Sequence, residues 1–568
     1  MELKNLSKLQ IRAEVLLILR QFNALDEMSK EQQDKCLNKI RLIKDNDYVL
    51  EILVKELPRN NYKKGQIISF FLQDLGSLEK LHDVLWSYIK SPDTSDELKD
   101  LAGITLKNLG DQTDPEEFLN YLKDPKAIVD KETQKLLEVA SVNPEAQIDF
   151  LDFLFSLPEN EQINLITSLK NDFPGESLVN VAVPALESKA SVKLQEELIK
   201  ILGETRSASA IPALNNILKY SEEEILKKQA QRSLSILKLA GIRVENENEF
   251  SFISPITKIS EMYECHTNIV DGIGNQGIII SRIKPNQDIL MLNVIVNDIH
   301  GIIDCFGFYG ISKHDFKRII EKFQEKTTRF FASPEYCRFR LDEAEKINKI
   351  NNLPIPYEYA AWKSIISDIT PLETDFEDLT KQWVSKNLIN ETALLYKFPD
   401  FQHWFFEEDD HPLLKDILDN LIKEAEEKSK NFIKNNDKLK LWLDSNIDIL
   451  SDKIFNDEIK NIYRNRLIDI TYMLNFQELP FFRDISASLS WSLKPENNYD
   501  LKTIPFFREL IKRTILQEFL RYQYNIEKEL DQSVNAKRWG MKNKQQGEIS
   551  FKIIDKNLEE VINILCNM

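Results

Sequence analysis

The chain has 568 residues, 42% of them hydrophobic and 29% charged, and a formal net charge of −18. So acidic a balance suits a soluble globular protein and repels phosphate backbones, which makes nucleic acid a poor default partner. Fifteen glycines are too few for an all-β fold or a glycine-rich nucleotide loop, and they fit long helices.

Five cysteines without a Cys-x-x-Cys pair do not make a disulfide framework, which points to a reducing, cytoplasmic compartment. The start of the chain is charged throughout. Its apolar run VLLIL (Val15–Leu19) is too short for a signal-peptide core, and no stretch approaches membrane-spanning length.

Residues 1–245 read as one helix after another. VKLQEELIKILG (192–203) and ILKKQAQRSLSILKLAG (225–241) place apolar residues at three- and four-residue steps. Gly76, Gly110, Gly203 and Gly241 follow such runs, where glycine can end a helix in the left-handed conformation. Gly76 and Gly110 are 34 residues apart and Gly203 and Gly241 are 38 apart, the period of a repeated helix pair. A closer echo joins AVPALES (Ala182–Ser188) to AIPALNN (Ala210–Asn216). On these residues the region resembles HEAT repeats of the short bacterial type, most clearly over 176–241 and also over 50–125. The resemblance implies an α-solenoid in which proline bends the first helix of a pair and the second helix lines a concave face.

RVENENEF (Arg243–Phe250) is polar and reads as a linker. Beyond it, GIIISRI (Gly277–Ile283) and ILMLNVIV (Ile289–Val296) are β-branched runs of strand length. Pro285 and Asn286 between them suit the centre of a tight turn, so a β-hairpin is expected. Two helices should follow. Ser312 caps the first, whose apolar stripe is Phe316, Ile319, Ile320 and Phe323; Ser333 and Pro334 open the second, where Cys337, Leu341 and Ala344 share a face. NNLPIPYEY (Asn351–Tyr359) then breaks into a loop. Residues 251–370 are therefore a small α+β module. Its segments GIIISRIKPNQDI, NDIHGIIDCFGF and SPEYCRF resemble a stretch of bacterial proteins of unassigned function, which brings no chemistry with it.

From 372 to 568 helices resume, with Phe507, Ile511, Ile515 and Phe519 stepping along one core-facing side. NAKRWGMKNKQQGEISFK (Asn535–Lys552) is locally basic and reads as a loop, and DKNLEEVINILCNM as the last helix.

The residues nearest to a catalytic set are Asp298, His300 and Cys305. On a strand, Asp298 and His300 would share a face, as a carboxylate orienting an imidazole requires. His300 and Cys305 are five apart and would face opposite ways unless Gly301 turned the chain. Cysteine among Ile303, Phe306 and Phe308 reads more simply as a small buried apolar residue. Cys265, His266, His300 and Cys305 carry zinc-type donors without zinc-type spacing. GIGNQG (Gly272–Gly277) precedes a strand, whereas a dinucleotide loop follows one. Lys537, Arg538, Lys542 and Lys544 with Trp539 offer the one patch suited to nucleic acid, read here as a solvated loop.

No cofactor, metal or catalytic site is therefore expected. The sequence reads as a mostly α protein: an N-terminal HEAT-like α-solenoid over 1–245, a central α+β module, and a C-terminal helical region. The expected role is a non-catalytic scaffold that binds a protein partner along the repeat surface, the acidic charge favouring a basic one. The alternatives are an enzyme or small-molecule binder with its site on the central module, and nucleic-acid binding through the basic loop.

Overall fold

A computed structural model describes residues 6–128, 139, 143–172, 175–188, 190–242, 260–324, 327–407, 411–538 and 556–567. It is mostly helical, with an N-terminal helical run, a small antiparallel sheet in the middle and further helices after it.

The first helices are α1 (Lys8–Arg20), α2 (Lys30–Arg41), α3 (Asn46–Glu56), α4 (Tyr62–Leu75), α5 (Leu78–Lys90), α6 (Asp96–Asn108) and the short α7 (Pro115–Leu119). Ser7 and Ser29 start α1 and α2 with reciprocal capping boxes, Gln10 and Gln32 accepting from the serine N–H groups at 2.9 and 2.8 Å. A second set follows: α8 (Pro144–Ser156), α9 (Glu159–Asp172), α10 (Gly175–Glu187), α11 (Val192–Glu204), α12 (Ile211–Tyr220) and α13 (Glu224–Leu239). In both sets a helix packs on its chain neighbour or the next but one, as α3 on α4, α4 on α6, α11 on α13 and α12 on α13. Each set encloses its own hydrophobic cluster, one from Ile11 to Leu106 and one from Leu151 to Leu237.

The four glycines expected as helix ends do different jobs. Gly110 and Gly241 take positive φ, 97° and 81°, and stop their helices in the left-handed region. Gly76 ends α4 in an extended conformation. Gly203 lies inside α11, where a Cβ would stand 2.6 Å from the Ser233 Cβ; it lets α11 and α13 approach closely. The echoed prolines differ too. Pro184 lies inside α10, while Pro212 stands in the first turn of α12, because a 3-10 turn at Ala208–Ala210 precedes it.

The central sheet has five strands: β1 (Glu261–Thr267), β2 (Asn275–Ile283), β3 (Ile289–Asn297), β4 (Gly301–Ile311) and the short β5 (Phe330–Phe331), in the order β4-β3-β2-β1-β5. The hairpin read from the sequence is β2–β3, in register from Asn275↔Asn297 to Ile283↔Ile289. Its turn closes with Gln287 N–H donating to Lys284 O at 2.8 Å around Pro285 and Asn286, and Gln287 takes the left-handed position at φ 72°.

Both runs are continuous in apolar residues because both sheet faces are covered. Ile278, Ile280, Leu290, Leu292 and Val294 face the main core, while Ile279, Ile289 and Met291 face Phe316 and Ile320 of α14 (Lys313–Gln324). The main-core face packs under α15 (Pro334–Ile350), which Ser333 caps by accepting from Tyr336 N–H at 3.1 Å.

After α16 (Tyr357–Trp362) and the short α17 (Phe376–Thr380) come α18 (Leu414–Lys434), α19 (Asn436–Ile454), α20 (Asp457–Phe476), α21 (Pro480–Ser492), α22 (Pro505–Arg538) and α23 (Lys556–Cys566). One hydrophobic cluster runs from Cys265 on β1 to Leu565 on α23, so the sheet and the C-terminal helices share a core; Phe507, Ile511, Ile515 and Phe519 lie fully inside it. The basic stretch expected as a loop from Asn535 is helical over Asn535–Arg538. Trp539–Lys552 and the linker Arg243–Phe250 lie outside the described residues.

Candidate functional site

Asp298 and His300 sit in the β3–β4 turn, not on a strand. Asn297 Oδ1 accepts from the N–H groups of both Ile299 and His300 at 2.9 Å, an Asx-type closure that competes with sheet pairing. Gly301, at φ 74°, does turn the chain, but it leaves His300 exposed and carries Cys305 to a buried position opposite Val294. Burial lifts the Cys305 thiol well above its ordinary pKa, and the carboxylates of Glu358 and Asp304 push it further the same way. That environment disfavours the thiolate a nucleophile needs.

Asp298 instead belongs to a clasp between the sheet and α20. Arg466 donates to it through Nε at 2.6 Å and Nη2 at 2.9 Å, and through Nη1 to Gly272 O. Gly274, in the GIGNQG segment, makes room for this clasp: at φ 92°, a Cβ there would stand 1.9 Å from Asp298 Oδ1. Gly274 thus serves a close side-chain approach.

A second buried network lies beside it. Tyr336 Oη donates to Asp469 at 2.9 Å and accepts from Gln276 at 3.0 Å, while Arg340 Nε donates to Gln276 Oε1 at 2.9 Å. Burial raises the Asp469 carboxyl against the opposing pull of Arg340 and Tyr336. The members satisfy one another, so the network joins elements and presents no free group to a ligand.

Cys265 and His266, adjacent on β1, face opposite sides of the sheet. Cys265 is in the main core, whereas the His266 ring is 4.7 Å from that of Phe331 and 3.0 Å from a Glu264 oxygen. Among the described residues no group of three or more His, Cys, Asp or Glu is placed to hold a metal ion. His403 is exposed at the end of a 3-10 helix, and His411 is half-buried in a bend.

A cleft with room for a ligand lies elsewhere, where the helical run meets the sheet. Polar contacts tie that junction. Lys30 N–H donates to Asp288 at 2.9 Å, Glu145 accepts from Tyr309 N–H at 2.9 Å, and Lys363 Nζ donates to Glu187. Lys284, over the Tyr309 ring at 4.1 Å, feels Asp288 and Glu145 together, but burial is the larger influence and lowers its pKa.

Behind the junction, Glu345 sits within reach of two ammonium groups. Burial alone would raise its carboxyl; Lys363, Lys349 and the Tyr359 hydroxyl, which donates at 2.8 Å, outweigh it and bring the pKa down to about 2. Lys363, half-buried, is kept charged by Glu187 and Glu345.

Between α8, α9 and the start of α11 on one side, and Ile303 of β4 with residues 354–358 on the other, lies a half-open cleft of about 650 Å³. Pro354, Ile355, Pro356, Ile303 and Phe155 make its walls apolar; Glu159 and Glu358 give it charge. Phe155 and Tyr357 form an aromatic pair with centroids 6.1 Å apart, and Tyr357 donates to Asp152. No family model, curated protein or solved structure matches this chain. The cleft therefore has to be read from its own chemistry.

None of its residues was a candidate in the sequence. Pro354-Ile355-Pro356-Tyr357-Glu358 reads there only as a break between helices, and α8–α9 keep the helical period without the repeat signature. The available signal was Tyr357 and Glu358 following two prolines, a rigid segment ending in an aromatic and an acid. Its partners, Phe155 and Glu159, are about two hundred residues away in the chain and carry no such mark.

Proposed function

We propose that this protein is a non-catalytic interaction scaffold: a HEAT-like helical array, braced on a small sheet, that holds a basic protein partner. The observation that carries the reading is the acid-lined apolar cleft at the array–sheet junction, where the array's helices and β4 offer one composite surface. The net charge of −18 adds a long-range field that speeds encounter with a basic partner. Stacked helix pairs suit this work because repetition builds extended surfaces. The cysteine usage supports a reducing, cytoplasmic setting. Among the described residues no helix is long and apolar enough to cross a membrane.

The test is cross-linking capture from native lysate with the full chain and with a Glu159→Lys, Glu358→Lys variant. A scaffold of this kind retains specific basic proteins that the charge-reversed chain loses. Retention of none by either chain sinks the reading.

A second reading, a small-molecule binder on the central module, draws on the same cleft, whose volume falls within the range small ligands fill. Metabolites co-purifying with the wild-type chain and absent from the charge-reversed one would favour it.

A further inference from the structure

We infer that the cleft receives a long cationic side chain, lysine or arginine, projecting from the partner polypeptide, with its alkyl stem on the Pro354–Pro356 wall and its charged head beside Glu358. This rests on the scaffold reading and names what that scaffold grips.

The sign of the charge comes from the lining. The lining residues include the carboxylates of Glu159 and Glu358 and no lysine or arginine, so the charge of the lining complements an occupant that brings a cation. Glu159 already has a counterion in Lys193 at 3.0 Å, on a side chain 72% exposed. The lining supplies no cation for Glu358, which is half-buried in the first turn of α16 beside the Tyr357 hydroxyl, its hydrogen-bond partner. The aromatic pair Phe155–Tyr357 adds faces that attract a cation. The apolar walls suit a methylene stem, since lysine and arginine bury their stems while the head finds polar partners.

The sheet edge decides between a side chain and a strand. β4 is an edge strand, and an extended peptide pairs with such an edge through free N–H groups. Three of those groups are already used by side chains. Ile302 N–H donates to Asn348 at 2.7 Å, Cys305 N–H to Asp304 at 2.8 Å, and Tyr309 N–H to Glu145 at 2.9 Å. With the edge blunted by Asn348, Asp304 and Glu145, recognition falls to side chains entering the cleft.

The test is fluorescence polarisation with short labelled peptides bearing one lysine between leucines, and the same peptides with norleucine for lysine. The full chain should bind the lysine peptide and lose about tenfold in affinity for the norleucine one, the worth of one charge-assisted contact. Glu358→Gln should cost a similar factor with an unchanged melting temperature. Lys193→Gln, which frees Glu159, should tighten binding, a gain that a merely structural role would not produce. Equal binding of both peptides, no binding of either, or displacement of the peptide by nothing while spermidine binds alone would each overturn the inference. Partners captured from lysate that Glu358→Gln leaves in place would overturn it while the scaffold reading stands.

Discussion

Arg466 holds Asp298 through two parallel hydrogen bonds, 2.6 and 2.9 Å long, across 168 positions of chain. The Arg466 side chain is 5% exposed and that of Asp298 20%, so the pair joins the β3–β4 turn to α20 in a largely dry environment. A residue whose type suggested catalysis is thereby a fastening. Removing one partner of such a pair leaves the other charge buried and alone.

Asp298→Ala should therefore destabilise the chain by about 3 kcal/mol, read as a lower denaturant midpoint. The double variant Asp298→Ala, Arg466→Met should recover part of that loss, because no unpaired charge remains. Equal midpoints for the two variants would show that Arg466 left without Asp298 carries no unpaired-charge penalty.

Gly274→Ala should act on the same clasp from the backbone. The position has φ 92°, and the added Cβ meets Asp298 Oδ1 at 1.9 Å and Arg466 Nη2 at 2.6 Å. A cost of about 2 kcal/mol is expected from strain and displacement together. It should shrink when Asp298 is already alanine, which chemical denaturation of the double variant measures.

Glu345 sets an acid limit on the junction. Its folded pKa of about 2 lies below the ordinary 4.5, so its contribution is whole above 4.5 and fades as the pH falls toward 2. The shift corresponds to about 3 kcal/mol. Glu345→Gln should flatten the stability profile between pH 5 and pH 2 relative to the native chain, roughly the window set by that shift. An unchanged acid limb in equilibrium unfolding would refute the assignment.

Thiol chemistry separates the five cysteines. Cys36, Cys265, Cys305 and Cys337 are buried and Cys566 is exposed. Burial raises Cys305 and Cys566 alike, but only Cys566 is open to a reagent. Titration of the native chain with a chromogenic disulfide at neutral pH should release Cys566 first, and the other four only on unfolding. Rapid labelling of Cys305 in the native chain would reopen its candidacy as a nucleophile.

Much of the architecture was legible because it is local. The capping serines Ser312 and Ser333, apolar steps along helices and the Lys284–Gln287 turn act within a few residues, and they appear where the sequence places them. β1 was not legible: MYECHT alternates a core residue, Cys265, with His266, whose ring needs α14 and β5 to be covered. Nor was the role of Gly203, which shows only when Ser233 is beside it.

The sequence by itself determined the class of the protein: helices flanking a small β-branched centre, with an acidic charge. Hydrophobic period and turn chemistry carry that information along the chain. Only the tertiary structure decided that Asp298 is bound to Arg466, that Cys305 is sealed in the core, and that Glu159 and Glu358 face one cleft. Those outcomes depend on contacts between distant segments. Whether an ionisable side chain is a reagent or a fastening is set by the partner and the burial it finds there.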